Sequence, residues 1–205
     1  MAWSWRWALR RLRYGAPVVV VSGLPRSGTS MAMKMLEAGG LTVVTDGVRT
    51  ADEDNPRGYY EDERVKNLGE AADKGWLASA RGKAVKIISF LLKDLPPNLN
   101  YQVVFMRRDL DEVLASQKKM LTHRGEGEGS SDEEMRELFQ NHLWRAGYWL
   151  RHYPQFDTLE IDYRQVLAQP RREAERINAF LGGKLAVDRM VAVVDETLYR
   201  NRRAS

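Results

Sequence analysis

A valine run that breaks into a glycine-bounded octet and then into a helical pattern constrains this chain more than any other feature in it. Residues 17–22 read Pro-Val-Val-Val-Val-Ser, the octet is Gly23-Leu24-Pro25-Arg26-Ser27-Gly28-Thr29-Ser30, and Met31, Met35 and Leu36 then share one helical face before Gly39-Gly40. Valine without alternation marks a strand buried on both faces. A glycine-rich turn between such a strand and a helix has the spacing of a phosphate-binding loop, G-x-x-x-x-G-K-S/T, except that Thr29 stands where the lysine belongs. In nucleoside triphosphatases that lysine reaches the β and γ phosphates, and the hydroxyl after it holds magnesium. Without the lysine the backbone N–H groups and the helix dipole still receive one anionic group. The acidic strand end that completes a magnesium site is missing too, since residues 103–106 run into Arg107-Arg108. The predicted ligand is therefore a nucleotide whose 5′ end needs neither a lysine clamp nor a metal.

Strand-like and helix-like segments alternate along the rest of the chain, which predicts an α/β fold. The expected architecture is P-loop NTPase-like, three layers α/β/α around a mainly parallel sheet of about five strands. Beyond the first strand, residues 41–44, 84–89, 101–106 and 158–162 read as strands. Residues 61–80 give a weak helical signal. Asp109 with Glu112 opens a helix to about residue 121, and Ser131 with Glu134 forms a capping box for another. On that second helix Met135, Leu138, Phe139, His142, Ala146, Trp149 and Leu150 share a face, so His142 is expected at the edge of the core. Pro170 suits the first turn of a helix that buries Ala174, Ile177, Phe180 and Leu181. Residues 45–58 and 122–130 are polar or glycine-rich and read as loops.

With 205 residues and 43% apolar content the chain is sized for one domain, residues 17–205, preceded by a basic arm over residues 1–16 that carries Trp3, Trp5 and Trp7 among arginines. The net charge of +4, from 32 basic and 28 acidic residues, is too small to call for a nucleic acid partner. No cysteine is present, and His123, His142 and His152 are scattered, so no metal site is expected. The apolar run 17–21 is short for a signal peptide and leads straight into the loop. No stretch approaches the roughly 20 apolar residues of a membrane span. The expectation is a soluble cytoplasmic protein whose arm packs on its own domain, with peripheral contact to an anionic membrane as the alternative.

The octet resembles the sulfotransferase family, whose phosphosulfate loop reads K/R-S-G-T-S/T directly after the first strand, as Arg26-Ser27-Gly28-Thr29-Ser30 does here. The family's second element is an arginine at a strand end followed eight residues later by a serine. Arg108 and Ser116 match it, within a stretch that is similar throughout from Arg107 to Ser116. The resemblance spans most of residues 17–181 and implies 3′-phosphoadenosine 5′-phosphosulfate as donor and adenosine 3′,5′-bisphosphate as product. It places Pro25, Arg26, Ser27, Gly28, Thr29 and Ser30 around the 5′ end, Arg108 and Ser116 at the 3′-phosphate, and Tyr163 near the adenosine. Arg26 is assigned to the leaving phosphate. The histidine base of many cytosolic members is replaced here, because the position two residues after Lys86 is Ile88. Asn55-Pro56-Arg57-Gly58-Tyr59-Tyr60-Glu61 resembles an N-P-x-G-aromatic-aromatic-E element of bacterial members, making Glu61 the first candidate base and Glu53 or Asp46 the reserves. A helix-capping role is the competing assignment for Glu61. Arg200, Arg202 and Arg203 stand where the family often returns a basic segment to the nucleotide. Two other readings stay open: a kinase or GTPase relative without its lysine, and a non-catalytic nucleotide-binding protein. The acceptor, a hydroxyl or an amine, is not readable.

Overall fold

The computed structural model describes residues 3–46, 60–123 and 131–195. Most of the expected loops at residues 45–58 and 122–130, the reserve Glu53, most of the 55–61 element and the three C-terminal arginines lie outside the described residues, and residues 122–123 belong to a helix and not to the loop. Among the described residues five strands form one sheet: β1 (Val18–Gly23), β2 (Val43–Val44), β3 (Ala84–Lys86), β4 (Tyr101–Arg107) and β5 (Phe156–Asp162). Their order is β2-β3-β1-β4-β5 and every pairing is parallel. The α/β class and the strand count predicted from the sequence are thereby met. Central strands buried on both faces explain the unalternating valines, since β1 is buried along its whole length.

The helices are α1 (Trp3–Tyr14), α2 (Thr29–Ala38), α3 (Glu63–Lys66), α4 (Trp76–Ser79), α5 (Leu110–His123), α6 (Asp132–His152), α7 (Tyr163–Ala168), α8 (Pro170–Phe180) and α9 (Val187–Ala192). One face of the sheet packs Val19, Val21, Val104 and Met106 against α2, α8 and α9. The other packs Val18, Val20, Val103 and Phe105 against Leu68, Leu77 and Leu150. The single helix expected over residues 61–80 is instead two one-turn helices. Asp62 caps the first by accepting from the Arg64 amide, and the chain between them turns through Gly69 and Gly75, which helix interiors disfavour. Burial is interrupted as well, with Leu68 and Leu77 reaching the core from separate turns.

The Ser131–Glu134 capping box forms as expected, and α6 buries Phe139, His142, Ala146 and Leu150, while Leu138 is exposed. His142 bonds through Nε2 to Ser89 Oγ at 2.8 Å and stacks on Phe90 with ring centroids 3.7 Å apart. Burial, helped by the charges of Arg145 and Lys93, lowers its pKa below the ordinary 6.5. A group whose folded pKa lies below its unfolded value leaves the unfolded chain binding more protons between the two, so stability declines as pH falls below about 6.5. Urea midpoints at roughly pH 7.5 and pH 5.5 should show this decline, and His142→Gln should flatten it. Identical slopes for both proteins would remove His142 as its source.

Candidate active site

Parallel register sets Gly23 at the end of β1 opposite Met106 of β4, so the turn into α2 sits beside the residues that leave β4. Gly23 is required there: a Cβ would stand 2.5 Å from Ser27 Oγ and 2.7 Å from the Met106 carbonyl. Ser27, almost fully buried, donates its hydroxyl to the Leu24 carbonyl at 2.7 Å and so ties the loop to itself. Gly28, at φ 97°, is the N-cap of α2 and has no side chain to cap with, so the first-turn amides are the donors an anion would meet. Thr29 is buried beneath this turn.

Arg26 is the one residue of the loop without an obvious licence for its backbone. It holds φ 67°, a left-handed conformation that costs a non-glycine residue about 1–3 kcal/mol and persists only where its surroundings impose it. Those surroundings are the second predicted element. Arg108 donates from Nη1 to the Arg26 carbonyl at 2.9 Å, and Arg26 donates from Nε to Ser116 Oγ at 3.0 Å. Two motifs about 80 residues apart in sequence thus meet through one residue.

Arg108 is itself buried, 7% exposed at the side chain, and pairs through Nε with Glu112 at 3.0 Å, whose side chain is 1% exposed. The Glu112 carboxylate, which the sequence pattern assigns to the α5 cap, is held between Arg108 and Arg164, the latter at 2.6 Å. Asp109 supplies the cap, accepting from the amides of Asp111 and Glu112. One carboxylate is thus shared by two guanidiniums, and Arg164 also stands 4.0 Å from Asp109. Tyr163, predicted to approach an adenosine, is buried; its ring lies 4.5 Å from the Arg108 guanidinium carbon, and a Cβ on Gly28 would fall 2.4 Å from its Cδ2. It therefore wedges the loop and the guanidinium against each other. Arg164 was missed by the sequence reading, although it directly follows the tyrosine that the reading singled out.

On the other side of β1, Lys86 at the end of β3 places Nζ 3.4 Å from Ser30 Oγ and 3.5 Å from Glu61 Oε1. Lys86 is 9% exposed at the side chain and Glu61 26%. The sequence reading used Lys86 only as a landmark; its place at the end of the strand next to the loop strand was the signal available. Glu61 does not cap α3, because Asp62 does, held well below the usual carboxylate pKa by its hydrogen bond from Arg64. Asp46 accepts from the Glu63 amide at 2.6 Å and donates its own amide to the Glu61 carbonyl, which makes it a brace for the Glu61 segment. A separate groove of 590 Å³ lies between α6 and the turn that follows β3, lined by Phe90, His142 and Trp149 among others, and contains none of the predicted site residues.

Residues 16–205 match the family model described as the sulfotransferase domain. No curated protein sequence matches the chain. Among solved structures, the sulfotransferase domain from the curacin biosynthetic pathway aligns at TM-score 0.50 and 13% identity, over 88% of this chain and 78% of that one. A sulfotransferase from Alicyclobacillus acidocaldarius aligns at TM-score 0.48 and 14% identity, over 84% and 82%. A sugar kinase from Janibacter sp. HTCC2649 aligns at TM-score 0.42 and 17% identity, over 88% and 99%. With a family match that runs from the first strand through every element of the site, the chain belongs to the sulfotransferase domain family.

Proposed function

We propose that the protein transfers a sulfuryl group from 3′-phosphoadenosine 5′-phosphosulfate to an acceptor hydroxyl or amine, without a metal. The observation that carries this reading is the bridge Arg108–Arg26–Ser116, which joins the loop at the α2 N-terminus to a second, separately built cationic site. A nucleotide with phosphates at both ends of its ribose needs two such sites, and ATP or GTP does not. The residues fit the donor. Glycine at positions 23 and 28 leaves no Cβ in the cradle, the α2 amides with Ser30 and Lys86 suit the 5′ end, and Arg108 with Ser116 suits the 3′-phosphate through bidentate, charge-assisted bonds.

The bound donor would supply a sulfuryl group already activated by its phosphate leaving group. This chain's residues would orient it and stabilise charge: Arg26 at the leaving phosphate, Lys86 beside Ser30 in place of the lysine that Thr29 lacks. Glu61 is assigned to accept the acceptor's proton; it is partly exposed, and the Lys86 ammonium fixes its direction. Ser27 and Tyr163 hold the loop in shape, and Pro25 and Thr29 are assigned to the same cradle by their place in the octet. The reading takes the reaction to be cytoplasmic.

Adenosine 3′,5′-bisphosphate should raise the melting temperature without magnesium, and more than ATP with magnesium does; a shift at least as large with ATP–magnesium would overturn the reading. Arg108→Ala should weaken the bisphosphate by roughly 1.5–3 kcal/mol and adenosine 5′-phosphate far less. Equal losses for both ligands in calorimetry would show that Arg108 does not read the 3′-phosphate.

A further inference from the structure

The arm before the domain folds as α1, and its contacts divide it into two faces. Arg10 is bonded to the beginning of β4 and β5: its guanidinium donates to the carbonyls of Pro154 at 2.5 Å, Phe156 at 2.6 Å, Gln155 at 2.6 Å and Tyr101 at 3.3 Å, and to Asn100 Oδ1 at 2.8 Å. Helical spacing puts position 14 on the same docked side as position 10. Positions 9 and 12, both leucine and three residues apart, fall on the opposite side. Leu9 is 55% exposed and Leu12 86%. Leucines this exposed, in helical register on a helix already fastened by its other face, form an apolar stripe that the domain itself does not cover.

Charge identifies what would cover it. Arg11 and Arg13 are placed by the same spacing on the flanks of the stripe, and no acidic residue occurs before Glu37. Arg10 meets the chain just after α6, at Pro154 and Gln155. Residues 138–156 contain no acidic residue, and Trp144, Tyr148 and Tyr153 are exposed there. A second copy of the chain laid on this stripe would bring like charges together. An anionic lipid surface instead accepts the leucines at the acyl boundary, the arginines at the phosphates and the exposed aromatic rings at headgroup depth. Twelve residues span about 18 Å, too short to cross a bilayer and suited to lying in its plane. Among the described residues no helix is long and apolar enough to cross a membrane.

We propose that α1 is an interfacial helix that seats the protein on an anionic membrane surface. Because Arg10 holds α1 at the strand beginnings while the phosphate loop follows the strand ends, the seated molecule turns its nucleotide cleft away from the lipid. Membrane binding and nucleotide binding are therefore independent, and either reading stands if the other fails.

The test is co-sedimentation of the full chain with phosphatidylcholine vesicles, with and without roughly 30 mol% phosphatidylglycerol, beside ultracentrifugation of the protein alone. Wild-type protein should partition at least about tenfold more onto the anionic vesicles, and raising salt to about 0.5 M should release it. The pair Leu9→Asp and Leu12→Asp should lose at least about tenfold of that binding, with an unchanged melting temperature and an unchanged response to adenosine 3′,5′-bisphosphate. Absence of vesicle binding, equal binding by the leucine variant, or a dimer in solution that the variant dissolves would each overturn the proposal.

Discussion

Arg26→Ala is expected to lower turnover by two to three orders of magnitude, about 2.7–4 kcal/mol if the change resembles loss of an oxyanion donor, while donor affinity falls much less. On the proposed reading ground-state binding would be shared among the α2 amides, Ser30, Lys86, Arg108 and Ser116, so removing one participant should leave most of it. Charge on the leaving phosphate grows only as the reaction proceeds, and a guanidinium held in advance by Ser116 meets it without reorganisation. Alanine at this position retains the left-handed backbone at φ 67°, so Arg26→Gly belongs beside it: glycine relieves the backbone and removes the same charge. Both should lose turnover alike if the guanidinium is what matters. Glu61→Gln is the companion, keeping shape while removing the base, and should erase a pH-dependent limb of the rate with the nucleotide still bound. If Arg26→Gly restores turnover that Arg26→Ala loses, loop strain and not charge explains the effect. If Arg26→Ala and Glu61→Gln are both silent, the chain binds its nucleotide without transferring sulfate.

The loop strand, the helix after it and the arginine–serine element were legible because each is specified by its own neighbours in sequence. Glycine at 23 and 28 is demanded by contacts of a few tenths of a nanometre, and such demands leave a local mark. The capping box of α6 and Pro170 at the start of α8 were legible for the same reason. What the sequence did not show is what the sheet order creates. Lys86 becomes a partner of Ser30 only because β3 lies next to β1, and Arg164 a partner of Glu112 only because β5 lies next to β4. Nor does an arginine in a polar arm announce that five acceptors at the far end of two strands will gather around it, as they do around Arg10. Over residues 61–80 the error was of another kind: a weak helical signal was read as one helix, when Asp62 and the glycines divide the segment.

Glu112→Ala is expected to destabilise the fold by about 3–5 kcal/mol, the range for breaking a buried ion pair from one side. For a chain of this length that corresponds to a fall in melting temperature of roughly 6–20 °C. Its two arginines contribute unequally. Arg164 is 44% exposed and would be rehydrated after the loss, whereas Arg108, at 7%, would lose the Glu112 carboxylate while still pressed between the Tyr163 ring and the Arg26 carbonyl. The damage should therefore depend on Arg108 being present. Arg108→Met alone leaves Glu112 with Arg164 and should be the milder change, and Arg108→Met combined with Glu112→Ala should recover much of the stability lost in Glu112→Ala, because removing both buried charges is often close to neutral. Urea denaturation of the four proteins closes the cycle. Simple additivity of the two losses, or a Glu112→Ala loss below about 1 kcal/mol, would mean that the pair behaves as an exposed one and that Arg108 is held in place by Tyr163 and the loop instead.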